Sequence, residues 1–312
     1  MQLGAFGHGF PYSVFSANGL SLRDVTLAPT EPCAKVAPYI EPFMDPFAAS
    51  FLMRLGAGSL NEFDAIILLR ESPGAVHAFH YGRELVRKGV LPAGAPKLIL
   101  SNHLPASGKA EDRFNEADMS RLLGELVLTE KMPKSALLEP LERIQRAQVL
   151  GILSGAVAFD LRRECLESPQ EFSVKRVESC LRPVAKIGPR YALMGGPLGN
   201  SALHGLIETV GVLALDQQAL DLNAAQRDFA DNPFAARQSK SSIARAIKAA
   251  LLEARIDQMV WQVEPHDDLW GWLAPSIFAA AKSANCSVID LGFLPRWPKE
   301  SDLSLLKKEV AP

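Results

Sequence analysis

The sequence predicts a two-lobed α/β protein with mostly parallel sheets, and three observations carry that prediction. Six short apolar runs bounded by turn residues read as strands, stretches of helical spacing alternate with them, and one long strand-free interval divides the runs into two groups. Strand, helix and strand repeated along a chain call for parallel strands joined by crossover helices. Most of the runs show no clean polar alternation, which suits strands covered on both faces. With 312 residues the chain is long enough for two domains, each burying its own core.

In the first group, Asp64–Leu69 and Lys97–Ser101 are the predicted strands, and Ala75–Lys88 is the helix between them. In the second group, Tyr191–Met194, Val212–Leu215, Gln258–Val263 and Cys286–Asp290 are the strands. Their helices are Leu203–Val210, Ser241–Arg255 and Leu269–Ala284. The pattern is that of flavodoxin-like or Rossmann-like lobes. The interval 117–182 reads as helix: Asp118–Thr129, a long stretch Lys134–Leu166 with Ser135 as its N-cap, and a third helix opened by the capping box Ser168-Pro-Gln-Glu171. The expected organisation is therefore an N-terminal lobe over 1–116, a helical connector over 117–182 and a C-terminal lobe over 183–312, with a ligand cleft between the lobes. Residues 217–240 interrupt the second lobe with mostly polar sequence, a lid, a partner surface or simply a long loop. No internal repeat is evident.

Charge and composition narrow the function classes. Lys and Arg number 33 against 35 Asp and Glu, a formal charge of -2, and no segment concentrates basic residues, so nucleic acid is not an expected partner. The opening MQLGAFGHGFPYSVF lacks a basic region followed by an apolar core, and no apolar run reaches the ~18 residues of a membrane span. The expectation is a cytoplasmic protein without a membrane partner. Cys33, Cys165, Cys180 and Cys286 are scattered, with no CxxC and no zinc-finger spacing; Cys165 and Cys180 fall in helical patterns and read as small apolar residues.

In an open parallel sheet, ligands bind beyond the carboxyl ends of the strands, so the residues after each strand are the candidates. Arg70 and Asn102 follow the first two strands. Glu71 and Ser72 share the turn with Arg70, a strand-to-helix turn without the GxSxG of a nucleophile elbow. After Met194 comes Gly195-Gly196-Pro-Leu-Gly-Asn200-Ser201, a glycine-rich turn feeding a helix. It lacks a P-loop lysine and the GxGxxG spacing, so it is either an anion cradle or a turn in which Asn200 or Ser201 caps the helix. After Val263, Glu264-Pro-His266-Asp267-Asp268 places an imidazole among carboxylates, an acid-base or metal-ligating group in one reading and the first turn of a helix in the other. The catalytic candidates are Glu71, Ser72, His266 and Asp267; the binding candidates are Gly195, Gly196, Asn200, Ser201, Arg70 and Asn102. His77 and His80, three apart on one helix, have no third identifiable ligand, and no metal site is expected.

Several segments, in order, resemble the 2-hydroxyacyl-CoA dehydratase and benzoyl-CoA reductase family, smaller-subunit type. Pro11–Gly19 is similar to its "PEELIYAAG" region and Asp64–Leu85 to its first strand, cysteine turn and helix. Leu193–Ala214 is similar to its "GxPLGxxxLxxLIExxGxxVV" segment, and Ile256–Val260 to its "IDGVI". The resemblance implies two α/β lobes and an iron-sulfur cluster held by three cysteines of each subunit from post-strand turns. It also implies a heteromeric partner and an ATP-driven activator that supplies one electron. Here those turns offer Ser72, the stretch around Asn102 and His103, and Pro265 or His266, with no cysteine. Such a set cannot replace three thiolates. The expectation is a cluster-free subunit that supports a cysteine-bearing homologous partner or forms part of an acyl-CoA cleft, with any cluster in the partner. A stand-alone homodimeric enzyme with changed chemistry and a non-catalytic binder of CoA thioesters or other anions are the alternatives.

Overall fold

The structure, a computed structural model, describes residues 1–7, 21–70, 73–102, 109–126, 138–168, 171–184, 188–216, 240–265, 267 and 270–304. These form two compact units, one on Met1–Leu138 and the other chiefly on Glu139–Cys165, Glu171–Asn223 and Gln238–Pro312. Each unit is built on a four-stranded, all-parallel sheet, as the alternating pattern predicts. The strand-free interval 117–182 is divided between the units.

The first sheet contains β1 (Gln2–Phe6), β2 (Ser21–Asp24), β3 (Ala65–Leu69) and β4 (Lys97–Ser101), in the order β2-β1-β3-β4. Helix α1 (Pro46–Ala57) precedes β3, α2 (Pro73–Arg87) joins β3 to β4, and α3 (Lys109–Glu125) follows β4. All five residues of β3 are buried, the position expected of an unbroken apolar run between two neighbours. Three of these elements are absent from the sequence reading. β1 and β2 are short and hold glycine or charge, whereas the signals of α1 are local. The Asp45 carboxylate caps it, accepting from the N–H groups of Phe47 (2.9 Å) and Ala48 (3.1 Å); Pro46 occupies the first turn, and Gly58 at φ +86° ends it.

The second sheet contains β5 (Arg190–Gly195), β6 (Val212–Asp216), β7 (Gln258–Val263) and β8 (Ser287–Phe293), in the order β6-β5-β7-β8. Its helices are α4 (Leu138–Val149), α5 (Gly155–Glu167), α6 (Val174–Cys180), α7 (Ala202–Ile207), α8 (Lys240–Glu253) and α9 (Trp270–Ser283). Leu203 and Ile207 of α7 pack with Tyr191, Leu193, Leu213 and Val260 in one core cluster. Two predictions in the helical interval need correction. The Lys134–Leu166 stretch is two helices, separated where Gly151 takes φ +69° and closes α4; Ser135 lies outside the described residues. The third helix starts at Val174 behind Ser173, not at the Ser168 box, whose Pro169 and Gln170 lie outside the described residues.

The two sheets repeat one topology. Gln2 and Arg190, Ser21 and Val212, Ala65 and Gln258, and Lys97 and Ser287 open corresponding strands at near-constant separation along the chain. In both, the first strand leads into a glycine with left-handed φ, Gly7 at +136° and Gly195 at +115°. The repeat is one of topology, invisible in the sequence because parallel-sheet cores accept many apolar side chains. In each sheet the strand order reverses between the first and third strands, the topological switch point at which an open α/β sheet receives ligands.

Candidate functional site

At the switch point of the second sheet, the turn after β5 is fixed by backbone contacts. A Cβ at Gly195 would overlap the Gln262 carbonyl oxygen, and one at Gly199 would overlap the Trp297 indole. The Gly196 N–H donates to Gln262 O (2.9 Å) and the Gly199 N–H to Arg296 O (2.7 Å), while Gln262 Nε2 donates back to Gly196 O. Two N–H groups that an anion cradle would use are thus spent within the fold, and α7 is only six residues long. Ser201 is the N-cap of α7 but its side chain makes no capping bond; Asn200 Oδ1, one residue ahead, accepts from the Ala202 N–H (3.2 Å), and its Nδ2 donates to Pro298 O (3.2 Å). Ser201 Oγ reaches Asp160 Oδ2 at 3.4 Å. Pro197, Asn200 and Ser201 are the half-buried members of the turn.

The turn after β7 meets this one. Asp267 Oδ1 accepts from the Trp270 N–H (2.6 Å), which makes it the cap of α9, and its Oδ2 pairs with Arg296 Nη2 (3.5 Å). Arg296 Nη1 also donates to Pro197 O (3.3 Å). Glu264 and Arg296 are both buried. Arg296 therefore braces the post-β5 and post-β7 turns together, and the space beside Gly196 is bounded by Glu264, Asp267 and Arg296. His266, Glu71 and Ser72, three of the four catalytic candidates, lie outside the described residues. Arg296 escaped the sequence reading because the predicted strand stopped at Asp290, three residues short of the end of β8; the post-strand rule applied from Phe293 would have reached it.

On the first sheet, two binding candidates are brought together. The Arg70 N–H donates to Ser101 O (2.9 Å) and its Nη1 to Asn102 Oδ1 (3.4 Å). Asp118, read in the sequence only as a helix start, holds this end of β4. Its Oδ2 accepts from Ser101 Oγ (3.0 Å) and the Asn102 N–H (2.8 Å), and its Oδ1 accepts from Arg121 Nη2 (2.7 Å). His77 and His80 of α2 pair with aromatic neighbours, Tyr81 and Phe79 respectively.

The iron-sulfur cluster that the family resemblance implies needs thiolates at post-strand turns, and the cysteines stand elsewhere. Cys33 lies in a loop of the first unit, Cys165 is inside α5, Cys180 ends α6, and Cys286 precedes β8 at the opposite, amino edge of its sheet. Burial, with a smaller contribution from neighbouring Glu164, pushes the Cys165 thiol up to about 12. Burial and then Asp257 push Cys286 up to about 11. The four cysteines thus stand on separate elements, away from the turns from which the resemblance would have three thiolates project. Among the described residues, no group of three His, Cys, Asp or Glu could hold a metal ion, and no helix is long and apolar enough to cross a membrane.

No protein-family model matches the chain, and no curated protein matches it.

Proposed function

We propose that the chain is a cluster-free subunit of an assembly like the 2-hydroxyacyl-CoA dehydratases and benzoyl-CoA reductases, pairing with a cysteine-bearing homologue and lending a ligand-binding sheet edge. The observation that carries the reading is the make-up of the described post-strand turns. Among the described residues, those that follow β3, β4, β7 and β8 include Arg70, Asn102, Asp267 and Arg296, polar or charged groups, and no thiol; Cys33, in the long connection after β2, lies against Gly56 of α1. The position of the resembling segments adds support. Leu193–Ala214 covers the end of β5, its turn, α7 and the start of β6; Ile256–Val260 leads into β7; Asp64–Leu85 takes in β3 and most of α2. Leu193–Ala214 and Asp64–Leu85 each run through the carboxyl end of a strand, the part of an α/β sheet that meets ligands, whereas Ile256–Val260 enters β7 at its amino end. In this role the exposed Arg70 guanidinium at the end of β3 meets an anionic group of the ligand.

Affinity purification of the tagged chain from its native cells tests the reading. The expected product is a stoichiometric complex with a larger, cysteine-rich protein that carries iron and sulfide, while the separated chain takes up no stoichiometric iron after anaerobic incubation with iron and sulfide. A chain that elutes alone and binds no CoA thioester in equilibrium dialysis, with or without the partner, would overturn it.

A further inference from the structure

Helix α9 lacks the polar outer side that a surface helix carries. It packs against α8 and against β5, β7 and β8, and Trp270, Leu273, Ile277, Ala280 and Ala281 are its buried residues. The opposite side presents Trp272, Pro275 and Ala279, all exposed and spaced three and four apart, so they form one stripe. Trp272 is 75% exposed, whereas Trp270, two residues earlier, is 6% exposed. Lys282, in the last turn, is the only charged residue of the helix. The neighbouring α8 shows the ordinary pattern, with Arg245 and Glu253 exposed. A helix apolar on both sides belongs in a buried place, and an aromatic anchor among uncharged neighbours is the make-up of an interface core.

Shape and charge select a second copy of this chain as the cover. Trp272, large, and Ala279, small, stand roughly 10 Å apart along the stripe. An antiparallel copy of α9, turned about a two-fold axis beside Pro275 and Ser276, sets each Trp272 over the Ala279 of the other, so the stripe fits itself. The stripe carries no charge, and no like charges meet at the axis. Each Lys282 then comes to the amino end of the other helix. In the sequence leading into that end Glu264, Asp267 and Asp268 outnumber the Arg296 that pairs there, so the charges are complementary, and the two helix dipoles oppose.

We propose that the outer stripe of α9, formed by Trp272, Pro275 and Ala279, is the contact through which two copies of this chain make a two-fold symmetric dimer. The proposal is independent of the acyl-CoA reading, since it needs neither a ligand nor a heteromeric partner.

The test is sedimentation equilibrium of the full chain, purified without any partner. The wild-type protein should sediment at about twice the 33.9 kDa of one chain. Trp272→Ala removes the anchor from both copies at once and should raise the dimer dissociation constant at least about 100-fold. Ala279→Glu keeps Trp272 but sets a carboxylate beneath the ring of the other copy, and should weaken the dimer by a similar factor. Both side chains are exposed, so far-ultraviolet circular dichroism of the two variants should match the wild type. A wild-type chain that stays monomeric up to about 100 μM, or a dimer that either variant leaves unmoved, overturns the proposal.

Discussion

Gly195 and Gly196 are neighbours with different physical reasons to be glycine. Gly195 sits at φ +115° with the Gln262 carbonyl where a Cβ would go, so a side chain strains the backbone and pushes β7 away at once. At Gly196 an added Cβ would meet Glu264 N at 3.6 Å and Arg296 Nη1 at 3.7 Å, ordinary contacts. Gly195→Ala is expected to cost about 3 kcal/mol or more in urea unfolding, and Gly196→Ala less than about 1 kcal/mol. A larger side chain at Gly196 would press on the buried Asp267–Arg296 pair, so ligand contact is tested at exposed Arg70 instead. With Arg70→Ala, loss of CoA-thioester binding in equilibrium dialysis, with the melting temperature held, is the outcome the proposed function requires.

Between elements, single buried carboxylates act as fasteners. Asp118 ties α3 to the end of β4 through Ser101 and Asn102 while pairing with Arg121. Asp118→Ala leaves the Ser101 hydroxyl and the Asn102 N–H without their acceptor, whereas Arg121, 39% exposed, is rescued by water. The expected loss is about 2 to 3 kcal/mol, measured by chemical denaturation. Asp216 fastens β6 to α5 and α7 and has no such relief, because Arg162 and His204 are both fully enclosed. Asp216→Ala strands a buried guanidinium, and a loss of about 3 to 5 kcal/mol is expected. The ordering of the two variants is the sharper test, since it depends on burial alone.

At the scale of the whole molecule, the thiols report on both packing and pH. Cys33, Cys165 and Cys286 are buried and Cys180 is half-buried at the end of α6, so Cys180 should be the first to react with a disulfide reagent at pH 8. Cys165 and Cys286 ionise at about 12 and about 11 in the folded chain against 9.0 for an ordinary thiol. A folded-state value raised above the unfolded one stabilises the fold fully below about pH 9, and that contribution disappears as pH rises through the folded values. Melting temperatures should therefore fall between pH 9 and 11, and a Cys165→Ala, Cys286→Ala double variant should fall less steeply over the same interval. Parallel slopes for the two proteins would mean that the two thiols are not protected by burial.

The sequence by itself determined what short-range physics controls. The apolar runs Asp64–Leu69 and Val212–Leu215, too short for helices and bounded by turn residues, supply buried parallel strands, and Asp267 takes the capping role that was one of its two readings. Periodicity and capping act over a few residues and can be read locally. Tertiary structure alone decided the strand order, the repeat of that order in the second sheet, and the partners of the polar groups. The glycine turn spends its N–H groups on Gln262 and Arg296, and His204, an unremarked residue of a helical pattern, acquires Asp216 and Arg162. Arg296 braces Pro197 across 99 residues of chain. No periodicity in the sequence encodes such a pairing. It follows only once the parallel sheet has brought the carboxyl ends of β5, β7 and β8 to one edge, and burial has made leaving a charge unpartnered too costly.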